Sequence, residues 1–116
     1  MILDKNGKSL VAATATHPGE VLADELEARN MTQCELAEKI QVSTAMINAI
    51  VEGKKNVSLR LALSLEESLS IPAEFWLNLQ RIYDQTLSYH KMKREVQRLH
   101  VPDSRQQQIL SQYVPV

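Results

Sequence analysis

Residues 32–52 read TQCELAEKIQVSTAMINAIVE, a pattern that predicts two short helices joined by a tight turn. Thr32 and Glu35 form a Thr-x-x-Glu capping box, whose hydroxyl and carboxylate satisfy backbone donors that the first helical turn leaves free. Leu36, Ala37 and Ile40 then recur on one face, which sets the first helix at about 33–40. Ser43 is the next cap, and a second helix follows over about 44–52 with Ile47, Ile50 and Val51 turned inward. Gly53 ends it where the chain needs positive φ. Only Gln41, Val42 and Ser43 separate the two helices. A small contact residue, Ala37, lets them cross steeply, and Val42 plugs the turn. The start of the second helix is left facing outward, with Thr44, Ala45, Met46, Asn48 and Ala49 as the projecting residues. A helix presented in this way fits a DNA major groove, which is about 12 Å wide. Asn48 suits a base edge, Thr44 a base or a phosphate, and Ala45 and Met46 a thymine methyl. Gln33 sits where its amide meets a phosphate beside the free amides of the first helix. The alternative for these side chains is an ordinary solvated helix surface.

Working outward, Pro18 opens a helix over about 18–29, with Val21, Leu22 and Leu26 inward and Asn30 as a left-handed stop. Ser58 caps a further helix over about 59–69. Its stripe is Leu61, Leu65 and Leu69, with Leu59, Ala62 and Leu63 set beside it. Pro72 opens a fifth helix patterned by Phe75, Trp76, Leu79, Ile82, Tyr83 and Leu87, extending through Met92, Val96 and Leu99 toward Pro102. Phe75 and Trp76 read as core or dimer contacts and not as a ligand box. One more short helix over 103–112, capped by Asp103, is compatible with the tail. The expected fold is all-α, a five-helix helix-turn-helix domain with an extended C-terminal helix. A flexible arm is expected over 1–16, the DNA-binding domain over 17–90 and a helical extension or tail over 91–116.

Composition narrows the chemistry. The 116 residues are 44% hydrophobic and 23% charged, a globular balance for one small domain. Three glycines leave no phosphate-cradling loop, and one cysteine leaves no intrachain disulfide. His17, His90, His100 and Cys34 lack metal-ligand spacing, no His-Glu-x-x-His helix is present, and no serine sits in a nucleophile elbow. Neither enzyme activity nor a cofactor or metal is expected. With no leader-like or membrane-spanning apolar run, a soluble, cytoplasmic protein is the expectation. Net charge is only −1, yet its distribution is uneven. Glu20, Asp24, Glu25 and Glu27 outweigh Arg29, whereas Lys54, Lys55 and Arg60 outweigh Glu52. Lys91, Lys93, Arg94, Arg98 and Arg105 make the tail basic, which for this segment equally fits a solvated helix face.

The stretch TQCELAEKIQVSTAMINAIVEGKKNVSLRLA resembles a helix-turn-helix of the phage-repressor (XRE) type. The wider frame, HPGEVLADELEARNMTQ at 17–33 and IPAEFWLNLQRIYD at 71–84, resembles the HigA (VapI-like) antitoxins. Gln41 and Ser70 depart from that pattern, standing where the family usually has glycine. The resemblance implies DNA contacts at Gln33, Ser43, Thr44, Ala45 and Asn48, with Lys54, Lys55 and Arg60 on phosphates. It further implies a twofold homodimer on a palindromic double-stranded operator, with half-sites about 10 base pairs apart or a multiple of that. Tyr83, Tyr89 and Met92 are the expected dimer contacts, exposed on the monomer. A second implied partner is a RelE-like (HigB-type) messenger-RNA-cleaving toxin. Because such a partner should be basic, the acidic face Glu20, Asp24 and Glu27 and the arm at 1–16 are the candidate surfaces for it. The competing reading is a stand-alone phage-type transcriptional repressor without a toxin.

Overall fold

The computed structural model describes residues 16–113. Among them are six helices and no strand: α1 (Pro18–Ala28), α2 (Gln33–Ile40), α3 (Thr44–Val51), α4 (Leu59–Leu69), α5 (Ala73–Arg98) and α6 (Asp103–Leu110). The all-α expectation holds, and the further short helix allowed for over 103–112 forms as α6. The arm expected over 1–16 lies, but for Thr16, outside the described residues. No helix among the described residues is long and apolar enough to cross a membrane. The chain forms two compact units, Thr16–Arg81 and one whose described part is 82–113; α5 begins in the first and ends in the second.

The first unit is built around Leu22, Leu36, Ile47, Ile50, Leu65, Leu69 and Trp76, each almost wholly buried. These come from all five helices of the unit, so the core is shared among them. Local signals fix where each helix starts. His17 caps α1, its Nδ1 accepting from Gly19 N at 2.9 Å. Thr32 Oγ1 accepts from Glu35 N at 3.0 Å while Thr32 N donates to Glu35 Oε1 at 3.3 Å, completing the capping box on α2. Ser43 and Ser58 cap α3 and α4 through the amides of Met46 and Leu61. The helix stops are backbone devices: Asn30, Gln41 and Ser70 all take left-handed geometry, φ 52°, 58° and 58°. For a residue with a Cβ this costs on the order of 1 kcal/mol, which tertiary packing absorbs. Long-range bonds tie the ends together. Arg29 Nη2 donates to Leu69 O at 2.7 Å at the end of α4, and Ala73 N donates to Glu66 Oε1 at 2.8 Å at the start of α5.

On the apolar faces, the structure places one pair of leucines and corrects one expectation. Leu59 and Leu63 point away from the α4 core stripe, 61% and 49% exposed. Tyr89, expected to be exposed on the monomer, is buried at 6%. The cause is α6: Tyr89, Val96 and Leu110 make the small core of the second unit, with Met92, Val101 and Ile109 packed on it. Tyr83 and Met92 are half-buried. The chain reaches α6 through His100 in left-handed geometry (φ 57°) with Val101 N donating to Val96 O at 3.1 Å. Pro102 occupies the cap position of α6, and Asp103, expected there, is its first helical residue.

Candidate nucleic-acid interface

The turn between α2 and α3 decides what α3 can present. Val42 N donates to Ala37 O at 3.0 Å, which closes the turn over Gln41. Val42 is half-buried against the core, and Ala37 is 3% exposed at the helix contact. Ile47 and Ile50 anchor α3 from below with no exposed surface. Thr44 and Asn48 therefore stand one turn apart on the opposite face, exposed, with Ala45 beside them. Met46, expected to project, is instead half-buried against the core, because it lies on the same side of α3 as Ile50. Ala49 is half-buried at the margin. Ser43 is exposed; its oxygen accepts from Met46 N at 3.1 Å, leaving its hydroxyl proton for a further acceptor. Gln33 is half-buried at the first position of α2.

One acidic residue, unassigned from the sequence, organises this surface. Glu52 Oε1 accepts from Asn48 Nδ2 at 3.2 Å, and Glu52 Oε2 pairs with Lys54 Nζ at 2.9 Å. The Lys54 hydrogen bond and charge, with the Asn48 amide, hold the Glu52 carboxyl below the usual carboxylate range. Asn48 is thus held with one amide N–H committed, leaving its carbonyl oxygen and second N–H for a base edge. The i, i+4 spacing of Asn48 and Glu52 is the signal that makes this link legible in retrospect. Lys55 is exposed in the same loop. Arg60 is exposed in the first turn of α4, where it borders an open cleft of about 330 Å³ with Gln41, Val42 and Met46.

The flanks hold this platform. Gly19 lets α1 pass against the end of α3: a Cβ there would lie 1.8 Å from Ile50 O. Buried Gln80 on α5 accepts from Val57 N at 2.8 Å, pinning the end of the loop that carries Lys54 and Lys55. That contact spans 23 residues, so no local pattern announces it. Glu20, Asp24 and Glu27 are exposed on the outer face of α1, opposite Leu22 and Leu26.

Residues 22–76 match the helix-turn-helix family HTH_3. The fold is similar to an addiction module antidote protein of the HigA family from Coxiella burnetii, at 32% identity, 77% of this chain, 98% of that one and a TM-score of 0.67. The chain belongs to the HigA (VapI-like) antitoxin family. This HigA-family chain is also similar to the antitoxin HigA of Pseudomonas aeruginosa, whose structure was solved with the higBA promoter. There the identity is 30%, the coverage 76% of this chain and 95% of that one, and the TM-score 0.66. Among curated relatives, virulence-associated protein I of Dichelobacter nodosus is 37% identical over 71 residues, 60% of this chain and 66% of that protein. The HigA-family chain thus matches about two-thirds or less of the length of its curated relatives. The family frame now has physical content. His17 caps α1, Gly19 lets α1 lie against α3, Trp76 fills the core, and Gln80 holds the α3–α4 loop.

Proposed function

We propose that this protein is a sequence-specific DNA-binding antitoxin that represses its own operon as a twofold dimer and neutralises a RelE-like, messenger-RNA-cleaving toxin. The observation that carries the DNA half is the outward face of α3, where Thr44, Ala45 and Asn48 stand clear of a core that grips Ile47 and Ile50. Phosphate contacts come from Lys54, Lys55, Gln33 and Ser43, which position the chain without reading sequence. The likeness to an antitoxin solved with promoter DNA supports the same reading. For the toxin half, the support is the acidic outer face of α1, Glu20, Asp24 and Glu27, which suits a basic RNA-cleaving partner.

The test is a gel shift against the DNA upstream of the gene, with a scrambled duplex as control, followed by addition of the product of the adjacent gene. Retardation of the upstream DNA alone, with half-sites about 10 base pairs apart or a multiple of that, is expected. Equal affinity for the scrambled duplex overturns sequence-specific recognition. Capture of a small basic neighbour that a Glu20→Lys/Asp24→Lys/Glu27→Lys variant fails to hold is the expected toxin result. Operator binding with no such partner leaves the stand-alone repressor as the correct description.

A further inference from the structure

The outer face of α4 is unused by the fold and carries two exposed leucines. Leu59 and Leu63, one turn apart, are 61% and 49% exposed, and they border an open groove of about 560 Å³. Their absence from the core is not a failure of packing, since Leu61, Ala62, Leu65 and Leu69 already fill the inner side of the same helix. Arg60 and Glu67 flank them, both exposed and neither in an ion pair among the described residues. Glu66 is different: its carboxylate is committed to Ala73 N.

Arg60, Leu63 and Glu67 follow one another at spacings of three and four, so they form a single seam along the helix. The seam reads positive, apolar, negative. Laid against a copy of itself in parallel, it sets like charges together. Laid antiparallel about an axis between positions 63 and 64, it sets each Arg60 opposite the Glu67 of the other copy, with the two Leu63 side chains at the centre. A surface that is its own complement under a twofold rotation is what an isologous interface requires.

We propose that the outer face of α4 is where a second copy of this chain docks, antiparallel across a twofold axis, with Leu59 and Leu63 covered and Arg60 paired to Glu67 of the partner. The inference deepens the twofold reading above by naming its surface, and it moves that surface away from the Tyr89 region, which α6 already covers. It also gives Arg60 a role other than phosphate binding. An eleven-residue helix is short for such a task. A standard stable interface covers about 800 Å² on each partner, more than one face of this helix supplies. The free dimer is therefore weak, and binding two half-sites of one duplex raises the effective concentration that completes it.

The test needs no DNA, so it stands or falls apart from operator recognition. Sedimentation of the full chain from micromolar to near-millimolar concentration is expected to show reversible dimerisation. Arg60→Glu and Glu67→Arg each replace two symmetry-related attractions by repulsions, and each is expected to weaken the dimer about tenfold or more. The double variant restores both pairs and is expected to dimerise within about twofold of the wild type. Leu59, Arg60, Leu63 and Glu67 are all exposed, and circular dichroism checks that the variants fold. In parallel, Leu63→Cys in a Cys34→Ser background is expected to form a disulfide-linked dimer under mild oxidant, since a residue next to a twofold axis meets its own counterpart. A wild type that stays monomeric throughout, single variants with unchanged association, or a double variant no better than the singles overturns the proposal.

Discussion

Gly19→Ala is expected to unfold the domain or to lower its stability by about 3 kcal/mol or more, read as the shift in urea midpoint at unchanged slope. Secondary-structure propensity alone gives the opposite sign, because Gly19 lies inside α1, where alanine is favoured by about 1 kcal/mol. Geometry decides between them. A Cβ at Gly19 would lie 1.8 Å from Ile50 O, 2.7 Å from Ile50 C and 3.0 Å from Val51 Cα. All three are backbone atoms of the last turn of α3, so no side-chain rotamer relieves the clash, and the two helices must separate. Separation opens the layer that buries Leu22, Ile47 and Ile50. Gly53→Ala is the control. Gly53 has φ +77°, yet a Cβ there meets only the His17 ring at 3.8 Å, so the expected cost is the left-handed strain of about 1 kcal/mol. A Gly19→Ala protein as stable as the wild type, or less affected than Gly53→Ala, would mean that α1 and α3 are not held in this contact.

That contrast marks what residue patterns reveal and what they leave hidden. Caps, stops and apolar spacing act within a few residues, so they are written locally. The boundaries of α2, α3 and α4 follow from Thr32 with Glu35, Ser43, Ser58, Gly53 and the leucine stripes. The outward face of α3 was legible for the same reason, since Ile47 and Ile50 leave Thr44 and Asn48 nowhere to point but out. Met46 escapes this reading because one residue's rotation around a helix separates a projecting side chain from a packed one. Contacts between distant segments carry no local mark. The Gly19 approach to Ile50, the Gln80 hold on Val57 and the burial of Tyr89 beneath Leu110 each depend on which helices meet. Leu59 and Leu63 illustrate the limit from the other side: an apolar residue beside a core stripe satisfies the spacing of burial whether or not anything covers it.

Asn48→Ala is expected to lower affinity for the operator by roughly 5- to 150-fold, about 1–3 kcal/mol, while leaving binding to scrambled duplex unchanged. The difference between the two duplexes is the informative quantity, because a lost base contact removes discrimination and a lost phosphate contact does not. Glu52→Gln separates the roles further. In the wild type the Glu52 carboxylate holds both the Asn48 amide and the Lys54 ammonium. Removing its charge takes a carboxylate away from the phosphates and leaves the Lys54 ammonium uncompensated, so binding to any duplex is expected to tighten and its salt dependence to steepen. Discrimination falls at the same time, since the Asn48 amide is held less firmly. The pH dependence fixes the sign. The Glu52 carboxyl lies below the ordinary carboxylate range in the folded protein, chiefly through the Lys54 hydrogen bond and charge. A lowered folded-state pKa means that the ionised network is fully present above the unfolded value and is lost only as pH falls through the lowered one. Between about pH 5 and 8 the ratio of wild-type to Glu52→Gln affinity is therefore expected to stay constant. It should approach one only in more acid solution, where the wild-type carboxylate protonates. A ratio that drifts through neutral pH would show that Glu52 is not held ionised by Lys54 and Asn48, and an Asn48→Ala protein that weakens on both duplexes alike would show that this face positions the chain on DNA without reading it.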